Sequence, residues 1–275
     1  MSEAIERTNG QKRRPDAAGH DAARQVRFAG RNLSKHYGGV AAVSDVTIEF
    51  PAGSITAIVG DNGAGKSTLV KMLSGAIRPD DGHIEVDGAP VRLPTPAAAR
   101  ESGIATVYQD LALADHRSVV ENLYLGRELV RSFGPIRILR RAEMRRGALA
   151  ALSDLKVRVP RVDREARTLS GGQRQGVAIA RAVHQGATIL IMDEPMAALG
   201  LQEQGRVIEL VERLAERHLT QLIVSHNLEH VFLLSTRIAV MRLGRLVAVR
   251  DTATTDRSEI LHLISGIEPS DRSTP

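Results

Sequence analysis

The residues best suited to chemistry form the stretch GDNGAGKST, residues 60–68. This stretch, here the phosphate loop, follows the predicted strand SITAIV and precedes a predicted helix with Leu69, Met72 and Leu73 on one face. Glycines in such a loop let backbone N–H groups and a helix N-terminus converge on a phosphate group. In this motif the lysine reaches the β- and γ-phosphates, and the hydroxyl after it ligates Mg²⁺. The predicted nucleotide-binding residues are Gly60, Asn62, Gly63, Ala64, Gly65, Lys66, Ser67 and Thr68.

Two adjacent acids, Asp193 and Glu194, end the apolar run ILIM. Proteins with a phosphate loop hold the metal through an acid at the end of a strand that neighbours the loop's strand, and Asp193 suits that role. Because side chains alternate across a strand, Glu194 should point elsewhere, where it could orient or deprotonate the attacking water. The alternative is a solvated strand end, but the phosphate loop favours a chemical role for the pair.

The stretch LSGGQ, residues 169–173, predicts a second anion-binding site, here called the signature turn. Two glycines after a serine expose the backbone, and a helix follows with Val177, Ala178 and Ala182 on its inner side. On so short a motif alone, an ordinary loop before a helix remains the alternative.

The order of apolar runs predicts an α/β fold. From Val26 onward, turns separate the runs VRFAG, VTIEF, SITAIVG, HIEVDG and IATVYQ, which indicates a start rich in antiparallel strands. The later runs TILIMDE, TQLIVSH and TRIAVMRL alternate with helical stretches, which is typical of a parallel sheet covered by helices. We therefore expect a mixed parallel core sheet with an antiparallel β subdomain and a helical subdomain.

The domain boundaries follow from changes in composition. Residues 1–26 are polar and lack an apolar period, so we expect a mobile tail, and residues 267–275 form a second polar tail. Residues 27–266 should form one nucleotide-binding domain. Within it, arginines and helix formers dominate residues 110–166 around the break FGP, which predicts the helical subdomain.

Composition excludes several classes of protein. The absence of cysteine among the 275 residues rules out disulfides and thiolate metal sites. No N-terminal secretory signal is expected, and no apolar run reaches the 18 or so residues of a membrane-spanning helix. The formal charge of +5 could indicate an anionic partner, but aromatic residues make up only 3% of the chain, so we expect no nucleic-acid partner.

Taken together, the motifs resemble the ATP-binding subunit of ABC transporters over about residues 27–250. The resemblance rests on five stretches in the family's order: GDNGAGKST, Gln109 in VYQD, LSGGQ, ILIMDEP and His226 in VSHN. It implies a phosphate-loop NTPase fold of the ABC ATPase type and a Mg-dependent ATPase with ATP and Mg²⁺ as cofactors. It also implies that Gln109 senses metal and nucleotide, that His226 contacts the γ-phosphate, and that Tyr37 of KHYGG stacks on adenine, although Tyr37 could merely pack a strand edge.

The resemblance further implies partners that complete the site. In the family, ATP lies between the phosphate loop of one protomer and the signature turn of another, so the active species should be a homodimer or a pair with a related ATPase subunit. The residues expected to face the partner's ATP are Ser170, Gly171, Gly172 and Gln173. Integral-membrane permease subunits would hold the chain at the cytoplasmic face of the membrane, and an extracytoplasmic substrate-binding protein would act indirectly.

One departure from the family pattern suggests the cargo. Where ABC ATPases commonly have an aspartate after the catalytic acid, the segment AALG has Gly200, and Met196 stands where threonine is usual. Together with GDNGAGKSTL, VYQDLALA, YLGRE and VMRLGR, this variant resembles the single-domain ATPases of bacterial importers of ribose-, fructose- and xylose-type sugars. Import of another solute, a soluble non-transport ABC ATPase and a non-catalytic nucleotide sensor are the alternatives. The presence of both Glu194 and His226 disfavours the sensor.

Overall fold

The computed structural model describes residues 25–133 and 136–266. The predicted N-terminal tail therefore lies outside the described residues up to position 24, and the predicted C-terminal tail lies outside them entirely. Residues 25 and 26 are described, and Val26 begins the first strand.

The described residues contain twelve strands and eight α-helices. The strands are β1 (Val26–Tyr37), β2 (Val40–Pro51), β3 (Ile55–Val59), β4 (Asp81–Val86), β5 (Ala89–Val91), β6 (Ile104–Val107), β7 (Val130–Phe133), β8 (Ile136–Leu139), β9 (Ile189–Asp193), β10 (Thr220–Val224), β11 (Arg237–Arg242) and β12 (Arg245–Asp251). The helices are α1 (Lys66–Leu73), α2 (Pro96–Glu101), α3 (Val119–Leu123), α4 (Arg141–Asp154), α5 (Gly171–His184), α6 (Leu201–Glu216), α7 (Leu228–Leu234) and α8 (Arg257–Ser265).

A six-stranded sheet in the order β12-β11-β3-β10-β9-β6 forms the centre of the molecule. Its strands are parallel except for β12, which pairs antiparallel with β11. Strands β3 and β10 are buried along their whole length, as expected for strands covered by helices on both faces.

A separate antiparallel sheet has the order β2-β1-β4-β5. The sequence placed the runs SITAIVG and IATVYQ with the antiparallel start, but they form β3 and β6 of the parallel sheet. A short apolar run does not reveal whether its partners are parallel, because pairing depends on segments more than 80 residues away, such as β9 and β10.

The core lies on both faces of the central sheet. On one face, Leu190 and Met192 of β9 pack with α5 and α6 and with buried residues of α3 and α4. On the other, Ile189 and Ile191 pack with α1 and the antiparallel sheet, where the rings of Phe28 and Phe50 stack 5.4 Å apart. The alternation along β9 has the period of two expected for a strand.

Residues 110–166 contain α3 and α4, but they also contain a β-hairpin of β7 and β8 between the two helices. The prediction of a helical subdomain therefore omitted a strand pair. Its turn, Gly134 and Pro135 of the FGP break, lies outside the described residues. Across the ranges 25–133 and 136–266, no helix is both long and apolar enough to cross a membrane.

Candidate functional site

The phosphate loop connects the buried strand β3 to α1, as the sequence predicts. Gly63 and Gly65 have φ values of 82° and 96°, a left-handed conformation that side chains disfavour. A Cβ atom on Gly65 would lie 2.4 Å from the carbonyl oxygen of Ala42, whereas one on Gly63 would meet nothing within 4 Å. The loop therefore packs closely against β2 at Gly65, whereas the space beside Gly63 is open.

Lys66, the first residue of α1, lies over the loop. Its Nζ donates hydrogen bonds to the carbonyl oxygens of Gly60, at 2.6 Å, and Asp61, at 2.8 Å. Burial lowers the pKa of the Lys66 amine, while the charges of Glu194, Asp61 and Asp193 act against that shift. The ammonium group therefore lies in the field of the carboxylates that the sequence assigns to catalysis.

The turn between β11 and β12 forms a wall of the loop that the sequence did not predict. The N–H of Gly244 donates to Ala64 at 3.1 Å, and the carbonyl of Gly244 accepts from Ser44 at 2.8 Å. A Cβ on Gly60 would come 2.2 Å from the carbonyl oxygen of Met241. In the sequence the stretch VMRLGR contributes only to a resemblance, because nothing local indicates that it packs on the distant phosphate loop.

Asp193 is the last residue of β9, and its position corrects one expectation. Its strand does not neighbour the phosphate-loop strand, because β10 lies between β3 and β9. Burial and the charge of Glu194 raise the pKa of the Asp193 carboxyl, and Lys66 and Lys71 oppose this effect. Asp193 and Lys66 are therefore close enough to interact electrostatically across the end of the intervening strand.

The position of Glu194 is set by a turn of the backbone and not by strand alternation. The strand ends at Asp193, and Glu194 adopts a left-handed backbone with φ 49° while its N–H donates to Val224 at 2.9 Å. One carboxylate oxygen, Oε1, lies 2.6 Å from Nδ1 of His226 and accepts the His226 N–H at 3.0 Å. The structure thus joins two predicted catalytic residues that are 32 positions apart in sequence.

His226 lies in the short loop between β10 and α7. Asn227 caps α7 by accepting from the N–H groups of Glu229 and His230, and its own N–H donates to the hydroxyl of Ser225. The His226 side chain is 74% exposed, against 19% for Glu194. The His226 imidazole is therefore accessible to a bound group, whereas the Glu194 carboxylate is largely covered by protein.

Gln109 follows β6, the neighbour of β9, and its side chain is exposed. The loop after it is attached to the helix of the signature turn, because Arg181 of α5 donates to the carbonyls of Leu111 at 2.9 Å and Ala112 at 2.8 Å. Burial lowers the pKa of Arg181. This link between the Gln109 loop and α5 was not predicted.

The signature turn begins α5 as predicted. Ser170 caps the helix, and Gln173 reciprocates by accepting the Ser170 N–H at 3.0 Å. The turn also contacts Glu203 of α6, because a Cβ on Gly172 would lie 2.8 Å from the Cβ of Glu203. Hydrogen bonds from Ser170 and Gly172 lower the pKa of the Glu203 carboxyl. Sequence analysis missed Glu203.

The predicted site residues do not all meet within one chain. No hydrogen bond joins the signature turn to the phosphate loop anywhere in the described ranges. Tyr37 is the last residue of β1 and pairs with Val40 of β2. Val40 is two residues before Ala42, whose carbonyl faces Gly65 of the phosphate loop. Tyr37 is 51% exposed, and Nζ of Lys35 lies 6.0 Å from the centroid of its ring, so the residue is accessible from solvent.

Gly200 is not required by the fold. Its φ is −69°, within the range of any residue, and a Cβ there would meet nothing within 4 Å. Gly200 caps α6 without a side-chain hydrogen bond, which an aspartate at this position could supply. Met196, in contrast, is buried in the core beside the site.

Comparison with known proteins identifies a family and individual proteins to which this chain is similar. Residues 43–197 match the protein family described as ABC transporter. The fructose import ATP-binding protein of Rhizobium meliloti is 42% identical over 91% of this chain and 98% of its own length. The xylose/arabinose import ATP-binding protein of Sulfolobus acidocaldarius is 37% identical over 86% of this chain and 92% of its own length.

Another relative is longer than this chain. The ribose import ATP-binding protein of Chromobacterium violaceum is 44% identical over 88% of this chain, but the match spans only 47% of that protein. Among solved structures, an ATP-binding cassette of an ABC transporter in its ADP conformation superimposes with a TM-score of 0.73, at 26% identity over 87% of this chain and 95% of that one. A nucleotide-free cassette superimposes with a TM-score of 0.73 at 27% identity, over 87% of this chain and 95% of that chain.

Proposed function

The chain belongs to the ABC transporter family of ATP-binding subunits, and we propose that it hydrolyses ATP to drive import of a monosaccharide through separate permease subunits. The observation that supports the catalytic part is the contact between Glu194 and His226, which follow β9 and β10, the two consecutive strands on one side of the phosphate-loop strand. ATPase chemistry is the activity of the family. The assignment of each residue and of the cargo is our proposal.

ATP binding is assigned to the phosphate loop and Tyr37. The open side at Gly63 leaves room for phosphate oxygens over backbone N–H groups, and Lys66 would exchange its two carbonyl partners for the β- and γ-phosphates. Residues 60–68 would thus hold the triphosphate, while the exposed ring of Tyr37 stacks on adenine.

The side chains present also fit Mg²⁺ when ATP is bound. No group of three or more acidic or histidine side chains that could hold a metal occurs in the described part of the chain, so these residues by themselves form no metal cage. This suits Mg²⁺, which is usually held by one or two carboxylates together with substrate phosphates and water. Ser67, Gln109 and Asp193 would hold the ion, which would neutralise phosphate charge during the reaction.

Hydrolysis requires a water placed in line with the γ-phosphate. Glu194 can accept a proton from such a water or orient it, because its carboxylate lies next to the phosphate-binding site and is only 19% exposed. His226 holds that carboxylate through its backbone N–H and its ring, and the exposed ring can reach the γ-phosphate. Lys66 stabilises the charge that accumulates on the phosphate oxygens.

Completion of the site needs a second protomer. The signature turn does not meet the phosphate loop within one chain, although Ser170, Gly171, Gly172 and Gln173 form a helix N-terminus suited to an anion. We propose that two copies, or one copy and a related subunit, enclose two ATP molecules between the loop of one and the turn of the other. Hydrolysis would then release the interface.

A groove beside the Gln109 loop suits docking to a permease. It has a volume of about 580 Å³ and is lined by α2, the first three residues of β6, Gly126, Arg127 and α5, including Arg181. Because Arg181 also holds the Gln109 loop, a permease segment in this groove would be coupled to the nucleotide site. Docking of this kind would place the chain at the cytoplasmic face of the membrane, with the substrate-binding protein acting from the other side.

The sugar assignment rests on the fructose import relative, which is similar over 98% of its length. Reconstitution with the permease and binding protein from the same operon, followed by uptake of labelled fructose, ribose or xylose, would test it. We expect ATP-dependent uptake of at least one sugar, with amino acids and metal ions as control cargoes. Uptake of a control cargo alone would disprove sugar import and leave the ATPase assignment intact.

A further inference from the structure

The β7–β8 hairpin presents a face whose aromatic and aliphatic side chains are exposed to solvent in the described molecule. Arg131 pairs with Ile138 and Phe133 with Ile136, so these four side chains, here the hairpin face, lie on one side of the strand pair. Phe133 is 51% exposed, Ile136 61% and Ile138 53%. Contiguous exposed apolar side chains of this kind usually mark a binding surface.

The opposite side of the hairpin attaches it to the protein. Val130 and Leu139 on that side border a hollow with α4, which Arg131 also lines, and the N–H of Arg140 donates to the carbonyl of Leu129 at 2.8 Å. Leu129 packs against the main core. The hairpin is therefore held at its base, and the hairpin face is directed away from the core to which it is attached.

The charge around the hairpin face is strongly positive. Six arginines and a single acid, Glu143, occur between residues 130 and 146. Within the described structure, Arg131 on the hairpin face, Arg137 on the opposite side of the strand pair and Arg146 of α4 form no ion pair with an acidic side chain. The guanidinium of Arg131 lies 4.7 Å from the centroid of the Phe133 ring, so cation and apolar surface are adjacent.

We propose that the hairpin face docks on the anionic headgroup surface of a lipid bilayer. Its aliphatic and aromatic side chains suit the boundary between headgroups and acyl chains, and the arginines suit the phosphates above it. A second copy of the chain fits poorly, because two such hairpins would bring their positive charges together. The inference does not depend on the chemistry of the ATP site, since none of its residues belongs to that site.

A tryptophan at the hairpin face would report docking directly, because the chain has no tryptophan of its own. The full chain carrying Phe133→Trp is titrated with vesicles of phosphatidylcholine alone or phosphatidylcholine with phosphatidylglycerol. We expect a shift of the emission to shorter wavelength with the anionic vesicles and none with the neutral ones. Leu261→Trp on α8 is the control, because Leu261 is as exposed as Ile138 at 53%, and its emission should not shift.

Flotation of the chain without a tryptophan substitution, with the same vesicles, measures its affinity for the membrane. Replacing Arg131, Arg137 and Arg146 by glutamine should weaken binding on the order of 100-fold, because each arginine near an anionic surface contributes about 1 kcal/mol. Ile138→Ser should also weaken binding, and the matched Leu261→Ser should not. All variants should keep the circular dichroism spectrum of the parent.

Two results would overturn the proposal. The first is the absence of both flotation and an emission shift with anionic vesicles. The second is an emission shift that requires membranes carrying the permease and does not occur on bare anionic vesicles, which would identify a protein partner. Either result leaves ATP binding and hydrolysis untouched, so it does not bear on the proposed function.

Discussion

At the scale of single residues, the site depends on how Glu194 is held. The strand ends one residue earlier, and a left-handed backbone at Glu194 accompanies the contact of its carboxylate with His226. A non-glycine residue in this conformation costs about 1–3 kcal/mol and is retained where the surroundings enforce it. Here the hydrogen bonds to Val224 and His226 provide that enforcement.

Glu194→Gln tests the role of this carboxylate. The amide can still hydrogen-bond but cannot take a proton from water, so we expect kcat to fall by about 10²–10⁴-fold with nearly unchanged ATP affinity. Phosphate release and nucleotide titration measure the two quantities. Glu212→Gln, at an exposed position on α6, should behave like the parent, and hydrolysis near the parental rate in Glu194→Gln would rule out Glu194 as the base.

Lys66→Ala should act on binding instead. Loss of charge-assisted hydrogen bonds to the phosphates is expected to weaken ATP binding by about 10–100-fold, since each such bond contributes about 1.5–3 kcal/mol. Isothermal titration with ATP in the Glu194→Gln background measures this without turnover. Lys71→Ala, an exposed lysine on the same helix, is the matched control, and equal losses in the two variants would indicate a general charge effect.

At the scale of elements, the phosphate loop is shaped as much by its walls as by its own glycines. The start of β2 and the β11–β12 turn come close to it at Gly65, the end of β11 comes close to it at Gly60, and Gly244 hydrogen-bonds to both the loop and β2. These contacts set how close the backbone can come to its neighbours. A side chain at such a point would displace either the loop or its wall.

Gly65→Ala is therefore expected to damage the site more than its conformation alone would suggest. The new Cβ would lie 2.4 Å from a backbone oxygen at φ 96°, whereas Gly88→Ala, at φ 77°, would meet nothing within 4 Å. Gly88→Ala should cost about 1–2 kcal/mol of folding stability and leave ATP affinity unchanged. Gly65→Ala should cost more stability and lower ATP affinity. Urea unfolding measures the stability and ATP titration the affinity. If the two variants lose the same stability and bind ATP equally well, the contact between the loop and its neighbours has no role in the site.

At the scale of the whole molecule, the proposed dimer would bring together two helix N-termini that a single chain leaves apart. Within the described residues, the phosphate loop and the signature turn have no hydrogen bond between them, and Glu203 occupies the neighbourhood of the turn. A partner's ATP would have to take the place beside Ser170 and Gly172. Assembly and nucleotide binding are thus expected to be linked.

Ser170→Arg tests this arrangement in the Glu194→Gln background. The bulky cation should block the partner's nucleotide and abolish ATP-driven dimers, while the variant's own phosphate loop still binds ATP as a monomer. Light scattering with and without ATP measures the mass. Thr168→Arg, an exposed position just before the turn, should still dimerise, and dimers of Ser170→Arg would show that the turn is not at the interface.

The sequence alone determined the features that depend on neighbouring residues. The phosphate loop, the capped helix after Ser170 and the strand ending in Asp193 follow from glycine conformations, capping chemistry and apolar runs within about ten residues of each other. The family followed from five such local motifs in order. The local conformation of each motif depends on the backbone preferences of its own residues. It can therefore be predicted without knowing the rest of the fold.

Only the tertiary structure decided how these pieces meet. It placed β10 between the two strands of the site, joined Glu194 to His226, set Met241 and Gly244 against the loop and turned the hairpin face outward. Strand order and register depend on packing between segments far apart in the chain, where many pairings satisfy the same apolar pattern. The burial of the whole core selects among them, and no short stretch of sequence carries that information.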